Sequence, residues 1–507
     1  MLPMAIVAAG SLGYFFLGPY LPGMLCFPKI EAYHLIITNY MSLEGILGTF
    51  MGAVSKMIFM FVLLGVLLQE FGGGDFFIKI ASALLGNVRG GPAKIAIVAS
   101  GFMGMISGVG PLIVMATGVF TIPMMKKVGY PPHYAGAVEA TAASGGQIMP
   151  PVMGVAAFIM ADLLGITYLQ VCIAAILPAI LYYLALFFMV DFEAVKLGIK
   201  GLPKEKLPKV SEVIKEGWKF IIPVLVLIIS IGYYEARPEL SAFYANITLI
   251  ALCIFDDIRT KRKLEIKKIF LSFEKAVKGT LSIVATVAAV GIIYGVINLS
   301  GVGLKLSTML IHFSYGILPI LLALTALCSL ILGMGMPTVA CYTILAVLAA
   351  PAIIKLGAIP LAAHLFVFYF GMLSAITPPV ALSVIAAITI AESKFWITGW
   401  TSIKLAISGF IVPFIFVYQP VLLMKGDPGD IILTVIASTA GVFFLSVAVA
   451  NYFTRRLLVI ERIPLFIGAI LLIYPGWKSD VIGFIICMSC LSSQFIQLMR
   501  EKKVLKV

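Results

Sequence analysis

Long apolar runs, each near the length of a bilayer-crossing helix, follow one another along the chain. A helix rises 1.5 Å per residue, so ~20 apolar residues cross a hydrocarbon core of ~30 Å. By that measure spans are predicted at 3–25, 50–70, 168–190, 219–236, 238–255, 278–298, 398–424 and 431–453, with a C-terminal pair at 463–475 and 479–498. Transmembrane barrel strands would give short alternating segments instead, which excludes that class. The polar stretch 26–49 reads as lying along the outer interface.

Four apolar stretches are interrupted. Those at 93–125 and 316–354 are each long enough for two half-spans, and are broken by SGVGP at 107–111 and GMGMP at 333–337. They read as re-entrant helical hairpins. Those at 133–158 and 361–390 read as single crossings broken by Pro150-Pro151 and Pro378-Pro379. Proline removes a backbone donor and clashes with the preceding turn. Such breaks persist at membrane depth only where protein or a wet cavity satisfies the freed backbone groups.

The interruptions share one register. Pro123, Lys127 and Gly129 recur 228 positions later as Pro351, Lys355 and Gly357. Pro150-Pro151-Val152 recurs as Pro378-Pro379-Val380, and Gly73 as Gly301, at the same offset. An internal repeat that places paired helix breakers in two apolar halves points to a transport site between the halves.

Composition agrees with a polytopic helical membrane protein. Of 507 residues, 61% are hydrophobic and 12% charged, against about 25% charged in soluble domains. The net charge of +13 sits in short loops between spans rather than in a basic domain, which argues against nucleic-acid binding. Lys196, Lys200, Lys204, Lys206, Lys209 and Lys215 mark the loop 191–218, and a second basic loop covers 256–278. Both are predicted to be cytoplasmic, with the turn 235–240 outside. The span 168–190 then runs inward and its repeat partner outward, so the repeats are inverted. Lys79, Arg89, Lys94, Lys126 and Lys127 flank the first hairpin on the inner side, whereas Lys305 and Lys355 flank the second on the outer side. The expected fold is all-α and polytopic, with two inverted repeats, re-entrant hairpins and discontinuous helices. Its expected divisions are 1–70 (N-terminal helices and interfacial segment), 71–190 (first repeat), 191–278 (basic loops and a connecting helix pair), 279–424 (second repeat) and 425–507 (C-terminal helices). The start, MLPMAIVAAG, carries no basic leader and reads as a retained helix. Of the seven cysteines, Cys487 and Cys490 form a C-x2-C, read as small core residues rather than a metal or redox pair.

The breaks supply the candidate chemistry. A broken helix exposes N–H groups that attract a carboxylate and carbonyls that hold a bare cation. Ser107, Gly108 and Gly110 mark the first hairpin tip; Gly333, Gly335, Pro337 and Thr338 mark the second. Ser144, Gly145, Gly146 and Gln147 precede one double proline; Ser374, Ile376 and Thr377 precede the other. Hydroxyl, amide and carbonyl oxygens suit a hard cation, and Na⁺ is expected near Gly333, Gly335, Thr338, Ser374 and Thr377. The competing reading is that these glycines only permit close packing and the prolines only kink. Glu139 and His364 are intramembrane ionisable groups, Glu139 being the candidate for proton coupling. Phe366, Phe368, Tyr369 and Phe370 read as packing or lipid contact, and Lys127 and Lys355 as snorkelling at hairpin ends. Four histidines without metal spacing argue against an embedded metalloenzyme, and no phosphate-binding Gly-Lys-Ser/Thr loop supports an ATP-driven pump. No organic cofactor is expected, only Na⁺ or H⁺ as coupling ion.

The motifs GGPAKIAIVASG, FTIPMMKKVGY, GAVEATAASGGQIMPPVMGVAAFIMADLLGI, LGMGMPTVACY and HLFVFYFGMLSAITPPVAL resemble the large membrane subunit of tripartite ATP-independent periplasmic (TRAP) transporters. More narrowly, they resemble the fused permeases that work with TAXI-type binding proteins, over about residues 10–475. The resemblance implies a multi-pass protein of the prokaryotic inner membrane that imports organic anions, often C4-dicarboxylates, by symport with sodium. It also implies delivery of substrate by an extracytoplasmic binding protein and a fold of the elevator-type, ion-transporter-like kind, with a moving core. A stand-alone proton- or sodium-coupled secondary transporter is the alternative. Two departures stand out. The first tip reads Ser107-Gly108-Val109-Gly110-Pro111-Leu112-Ile113, with apolar residues where the family carries a small polar run. The helices that fused members carry ahead of this region are not seen. That leaves a separate small subunit, a truncated start, or segments after 431 that are simply this branch's extension.

Overall fold

A computed structural model describes residues 2–234, 237–261 and 265–504. Among them no strand forms beyond an isolated bridge between Tyr452 and Arg456. The chain opens with α1 (Leu2–Leu17), which stops at Gly18-Pro19, where the ring disfavours a continuing helix. The predicted span 3–25 is therefore a shorter helix followed by two 3-10 turns. The polar stretch carries α2 (Ala32–Met41), packed on the later helix Ile266–Ser300. Next come α3 (Thr49–Ala53) and α4 (Phe59–Glu70), one continuous span joined by a π turn at Val54–Ile58.

The first repeat comprises α5 (Gly73–Leu85), the hairpin α6 (Gly91–Ser107) and α7 (Gly110–Lys127), α8 (Pro132–Gly145), a 3-10 turn at Gly146–Ile148, α9 (Val155–Leu164) and α10 (Tyr168–Leu197). The connecting pair is α11 (Val210–Gly232) and α12 (Pro238–Arg259), followed by the 35-residue α13 (Ile266–Ser300). The second repeat has α14 (Val302–Phe313), the hairpin α15 (Leu318–Leu332) and α16 (Thr338–Leu348), α17 (Ala350–Lys355), α18 (Pro360–Leu373), a 3-10 turn at Ser374–Ile376, α19 (Leu382–Ala391), α20 (Phe395–Leu405) and α21 (Ile407–Tyr418). The chain closes with α22 (Pro428–Ala450), α23 (Val459–Ile473) and α24 (Trp477–Val504).

The offset of 228 read in the sequence maps one half onto the other almost residue for residue. The bounds of α8 fall on those of α18, and the turn at 146–148 on that at 374–376. Met153 and Ala381, also 228 apart, both take positive φ, 59° and 45°, and both double prolines are cis. The halves differ in two places, the first being α7, which is answered by the pair α16 and α17 on either side of Ala349. The single helix α10 is answered by two shorter ones, because Gly409 N–H bonds Ala406 O in a tight turn and separates α20 from α21. The predicted span 398–424 is thus broken at Ala406, and α20 turns by 119° from α19 across Glu392–Lys394.

The halves also interlock. α19 of the second repeat packs on α7 and α8, and α9 of the first packs on α16 and α18. Ion pairs tie the ends. Asp191 at the end of α10 binds Lys94 at 2.6 Å and pairs with Arg89, and Lys94 lies 4.6 Å over the Phe187 ring. Lys94, read from sequence as a flanking charge, is therefore a buried structural cation, 6% exposed. Lys126 donates to Ala391 O at 3.0 Å and so joins the hairpin base to α19. Lys219 with Asp256 joins α11 to α12 at 2.7 Å. Lys127 and Lys355 are both exposed at hairpin ends. The aromatic run on α18 faces protein rather than lipid: Phe366 and Phe370 lie 5.3 and 5.7 Å from Phe414, and Tyr369 lies 5.7 Å from Phe416.

Residues 235–236 of the expected outer turn and 262–264 of the second basic loop lie outside the described residues. A cysteine at Lys209, whose side chain is 80% exposed, is expected to react with membrane-impermeant maleimide only from the cytoplasmic side, in a background without the seven native cysteines. Labelling from outside in intact cells would reverse the assigned orientation of both repeats.

Candidate functional site

At the first tip α6 ends on Gly108 in the left-handed region, φ 61°, where a Cβ would come within 2.9 Å of Gly154 Cα. Only glycine lets this turn press on the loop that follows the double proline. The loop is closed by Gly154 N–H bonding Gln147 O at 2.7 Å. Gly110 opens α7 against three side chains: a Cβ there would stand 2.8 Å from Ser383 Oγ and 3.3 Å from both Gln147 Nε2 and Ser144 Oγ. Ser144 donates to Ser383 Oγ at 2.9 Å. Ser107 Oγ is buried at the tip with no hydrogen-bond partner, a polar group left unsatisfied by the protein.

The structure therefore brings Ser107, Gly108, Gly110, Ser144 and Gln147 together. Gly145 and Gly146 have different neighbours. Gly145 lies against the Tyr182 ring, and Gly146 against the Gly104 backbone of α6. Both let helices approach closely rather than facing the tip. Tyr182 and Tyr183 on α10 donate to Thr141 O and Ala142 O at 2.9 and 2.8 Å, supporting carbonyls at the end of α8 where the helix breaks. This is the internal satisfaction that a break in a membrane interior requires.

At the second tip α15 ends at Gly333, and Ser374 Oγ lies 3.1 Å from Gly333 O and 2.6 Å from Gly371 O. Gly335 takes φ 76° between the half-helices. Thr338 begins α16, half-buried, beside Gly371, and Pro337 precedes it as N-cap. Thr377 Oγ1 donates to Leu373 O at 2.8 Å, so its oxygen retains acceptor capacity. Ile376 is fully buried and offers only backbone. α8 packs on the turn at 374–376, which joins the two clusters into one region.

The two ionisable candidates lie away from the tips. Glu139, with no exposed surface, accepts from Ser100 at 2.6 Å and from Thr117 and Thr121 at 2.5 Å each. His364 Nδ1 is 2.9 Å from Tyr342 OH in the core of the second repeat. Among the described residues no group of three or more His, Cys, Asp or Glu could hold a metal ion. Cys487 packs against Gly468 of α23.

Sequence reasoning did not single out Ser383, Tyr182 or the hydroxyls around Glu139. Ser383 stands four positions after the second double proline, and Thr117 and Thr121 are spaced i, i+4 on one helix face; both signals were present, but their partners are far away in the chain.

Paired hairpins and paired broken crossings, interlocked across an internal repeat, define the class as a helical membrane transporter. Residues 1–426 match the family described as "Tripartite ATP-independent periplasmic transporter, DctM component", and the chain belongs to that family. Membership of that family places it in the inner membrane. The isethionate TRAP transporter permease protein DctMQ of Oleidesulfovibrio alaskensis is 27% identical over 342 residues, 66% of this chain and 52% of that protein. A putative TRAP transporter large permease of Haemophilus influenzae is 25% identical over 65% of this chain and 76% of its own length. The C4-dicarboxylate TRAP permease DctM of Pseudomonas aeruginosa is 24% identical over 64% and 74%. The chain thus spans about half the length of the first of these and three quarters of the others. Among solved structures the Alcanivorax borkumensis YdaH transporter shares the fold, with TM-score 0.55 and 16% identity over 83% of this chain and 99% of its own.

Proposed function

We propose that this permease imports an organic anion, a dicarboxylate-like or related carboxylate, by symport with Na⁺, and receives it from an extracytoplasmic binding protein of the TAXI type. A separate small membrane subunit completes the system in this reading. The observation that carries the proposal is the set of four helix breaks in one repeat register. Their half-helix N-termini suit a carboxylate, and the oxygens of Ser107, Ser144, Gln147, Thr338, Ser374 and Thr377 suit a bare hard cation. The relatives named for isethionate and for C4-dicarboxylates support an acidic cargo.

Purified permease in liposomes, offered radiolabelled succinate and other carboxylates, is expected to accumulate little until a matching binding protein is added outside. Uptake is then expected to fall about tenfold or more when choline replaces external Na⁺, the size of an ordinary coupling energy. Strong uptake by the permease alone would identify a stand-alone secondary transporter. Uptake indifferent to Na⁺ would remove the sodium symport.

A further inference from the structure

Glu139 has no role at the tips, yet its surroundings are built with care. Its carboxylate lies on α8 with no exposed surface, and among the described residues no Lys, Arg or His pairs with it. Three hydroxyls supply its contacts: Ser100 from α6, and Thr117 and Thr121 from α7. Each has a second partner in reach. Thr117 Oγ1 lies 2.8 Å from Ile113 O, Thr121 Oγ1 3.1 Å from Thr117 O, and Ser100 Oγ 2.9 Å from Thr117 Oγ1. With Glu139 ionised, the hydroxyls donate to it. With Glu139 protonated, a threonine turns its donor to the carbonyl one turn back and its oxygen accepts a hydrogen bond from the new carboxyl O–H. Both protonation states are therefore fully hydrogen-bonded.

The second repeat provides an internal control. At the offset of 228, Glu139 is answered by Val367, Ser100 by Cys328, Thr117 by Leu345 and Thr121 by Ala349. None of these four counterparts is a hydroxyl or a carboxylate, and Ala349 stands at the break between α16 and α17, so the repeat is built without this polar nest in its second half.

The nest also has an approach. A crevice of about 150 Å³ between α4, α5 and the hairpin is lined by Gln69, Asp75, Met103, Thr117 and Phe120. Thr117 is the wall shared with Glu139. The volume admits a short file of waters. Asp75 is the titratable group on α5 that faces the crevice. From α10, Tyr183 is engaged with Ala142 O; from α6, Lys94 is held by Asp191; from α7, Lys126 is held at Ala391 O and Glu392. α19 and α20 bring Ile390, Ala391 and Thr398 against this part of the core.

We propose that Glu139 is a proton-binding site, loaded from water in the Asp75 crevice and separate from the ion site at the helix breaks. In the loading step a hydronium ion gives its proton to one carboxylate oxygen, an O–H bond forms, and water remains in the crevice. Oxygen separations of 2.5–2.6 Å are hydrogen bonds and leave no gap for a metal ion between the oxygens. The proposal rests on the transport reading only for the use made of the proton.

Infrared difference spectroscopy of the reconstituted permease tests the site without a substrate. A protonated-carboxyl C=O band is expected to grow as pH falls and to be missing in Glu139→Gln. It is expected to shift in Thr121→Val, which removes one hydrogen-bond partner. Gly74 also lines the crevice, and Gly74→Trp, which fills it, is expected to slow the band's response to a pH jump several-fold. Replacing Na⁺ by choline at constant pH is expected to leave the band unchanged. Superimposable wild-type and Glu139→Gln spectra would overturn the proposal, and so would displacement of the band by Na⁺, which would make the nest a metal-cation site. Should Glu139→Gln fail to accumulate, a wild-type band unaltered in both Thr117→Val and Thr121→Val would overturn it equally. A titrating band in a permease that imports nothing would leave the site standing and remove the transport reading; Na⁺-driven uptake without such a band would do the reverse.

Discussion

Gly104→Val is expected to lower the thermal stability of the detergent-solubilised permease more than any other single glycine change in the first repeat. Gly104 of α6 and Gly146, at the end of α8, meet backbone to backbone, and a Cβ on either would overlap the other's Cα. Overpacking that side chains absorb costs about 1–3 kcal/mol. Here the obstacle on both sides is main chain, so the hairpin must lift from the broken crossing. The loss is expected at or above the upper end of that range, a large share of a stability of ~5–15 kcal/mol. Gly13→Ala, where nothing lies within 4 Å of the new Cβ, is expected to unfold with wild type. Equal unfolding temperatures for Gly104→Val and wild type would mean that the hairpin and the crossing do not touch as described.

Gly335→Val is expected to abolish transport while the protein still inserts and folds. Gly335 holds φ 76° in the open segment between α15 and α16. A β-branched residue in the left-handed region costs about 1–3 kcal/mol, which the segment can relieve by changing shape without disturbing the buried helices. The new shape would displace the Gly333 carbonyl and the start of α16, which are the oxygens and N–H groups assigned to the ligands. Thr338→Val keeps the volume and removes one oxygen. It is expected to weaken Na⁺ dependence more than it lowers expression. Normal transport and Na⁺ affinity in both variants would make the second tip a packing feature. Failure of both to accumulate would instead place the two residues in the structural core.

Much of this architecture is legible in the chain because helix breakers act locally. The double prolines and the glycine- and proline-bearing tips interrupt their helices, so the offset read from Pro150 and Gly73 survives in three dimensions at α8 and α18, whereas Pro123 stays inside α7 while its counterpart Pro351 opens α17. Apolar length is a weaker guide. It joined 398–424 into one span, although a turn at Ala406 divides it, because a local i−3 hydrogen bond leaves no compositional trace. It also extended α1 past Gly18-Pro19. The candidate site was legible as backbone and not as side-chain partners. Ser144 was chosen for standing beside a break, but its partner Ser383 is 239 positions away. Glu139 was visible as a charge in an apolar run, whereas the hydroxyls that receive it come from two other helices, brought close only by the hairpin's fold.

Equilibrium binding of radioactive sodium to the purified, reconstituted permease shows whether the helix breaks form a cation site. Saturable binding is expected in wild type, competed by unlabelled Na⁺ and not by choline. Affinity is expected to be lower by about tenfold to a hundredfold in Thr338→Val, since an oxygen facing a charge contributes ~1.5–3 kcal/mol, and unchanged in Glu139→Gln, whose carboxylate lies outside the breaks. Binding that is absent in wild type, or lost in Glu139→Gln and intact in Thr338→Val, would mean that the breaks hold no cation.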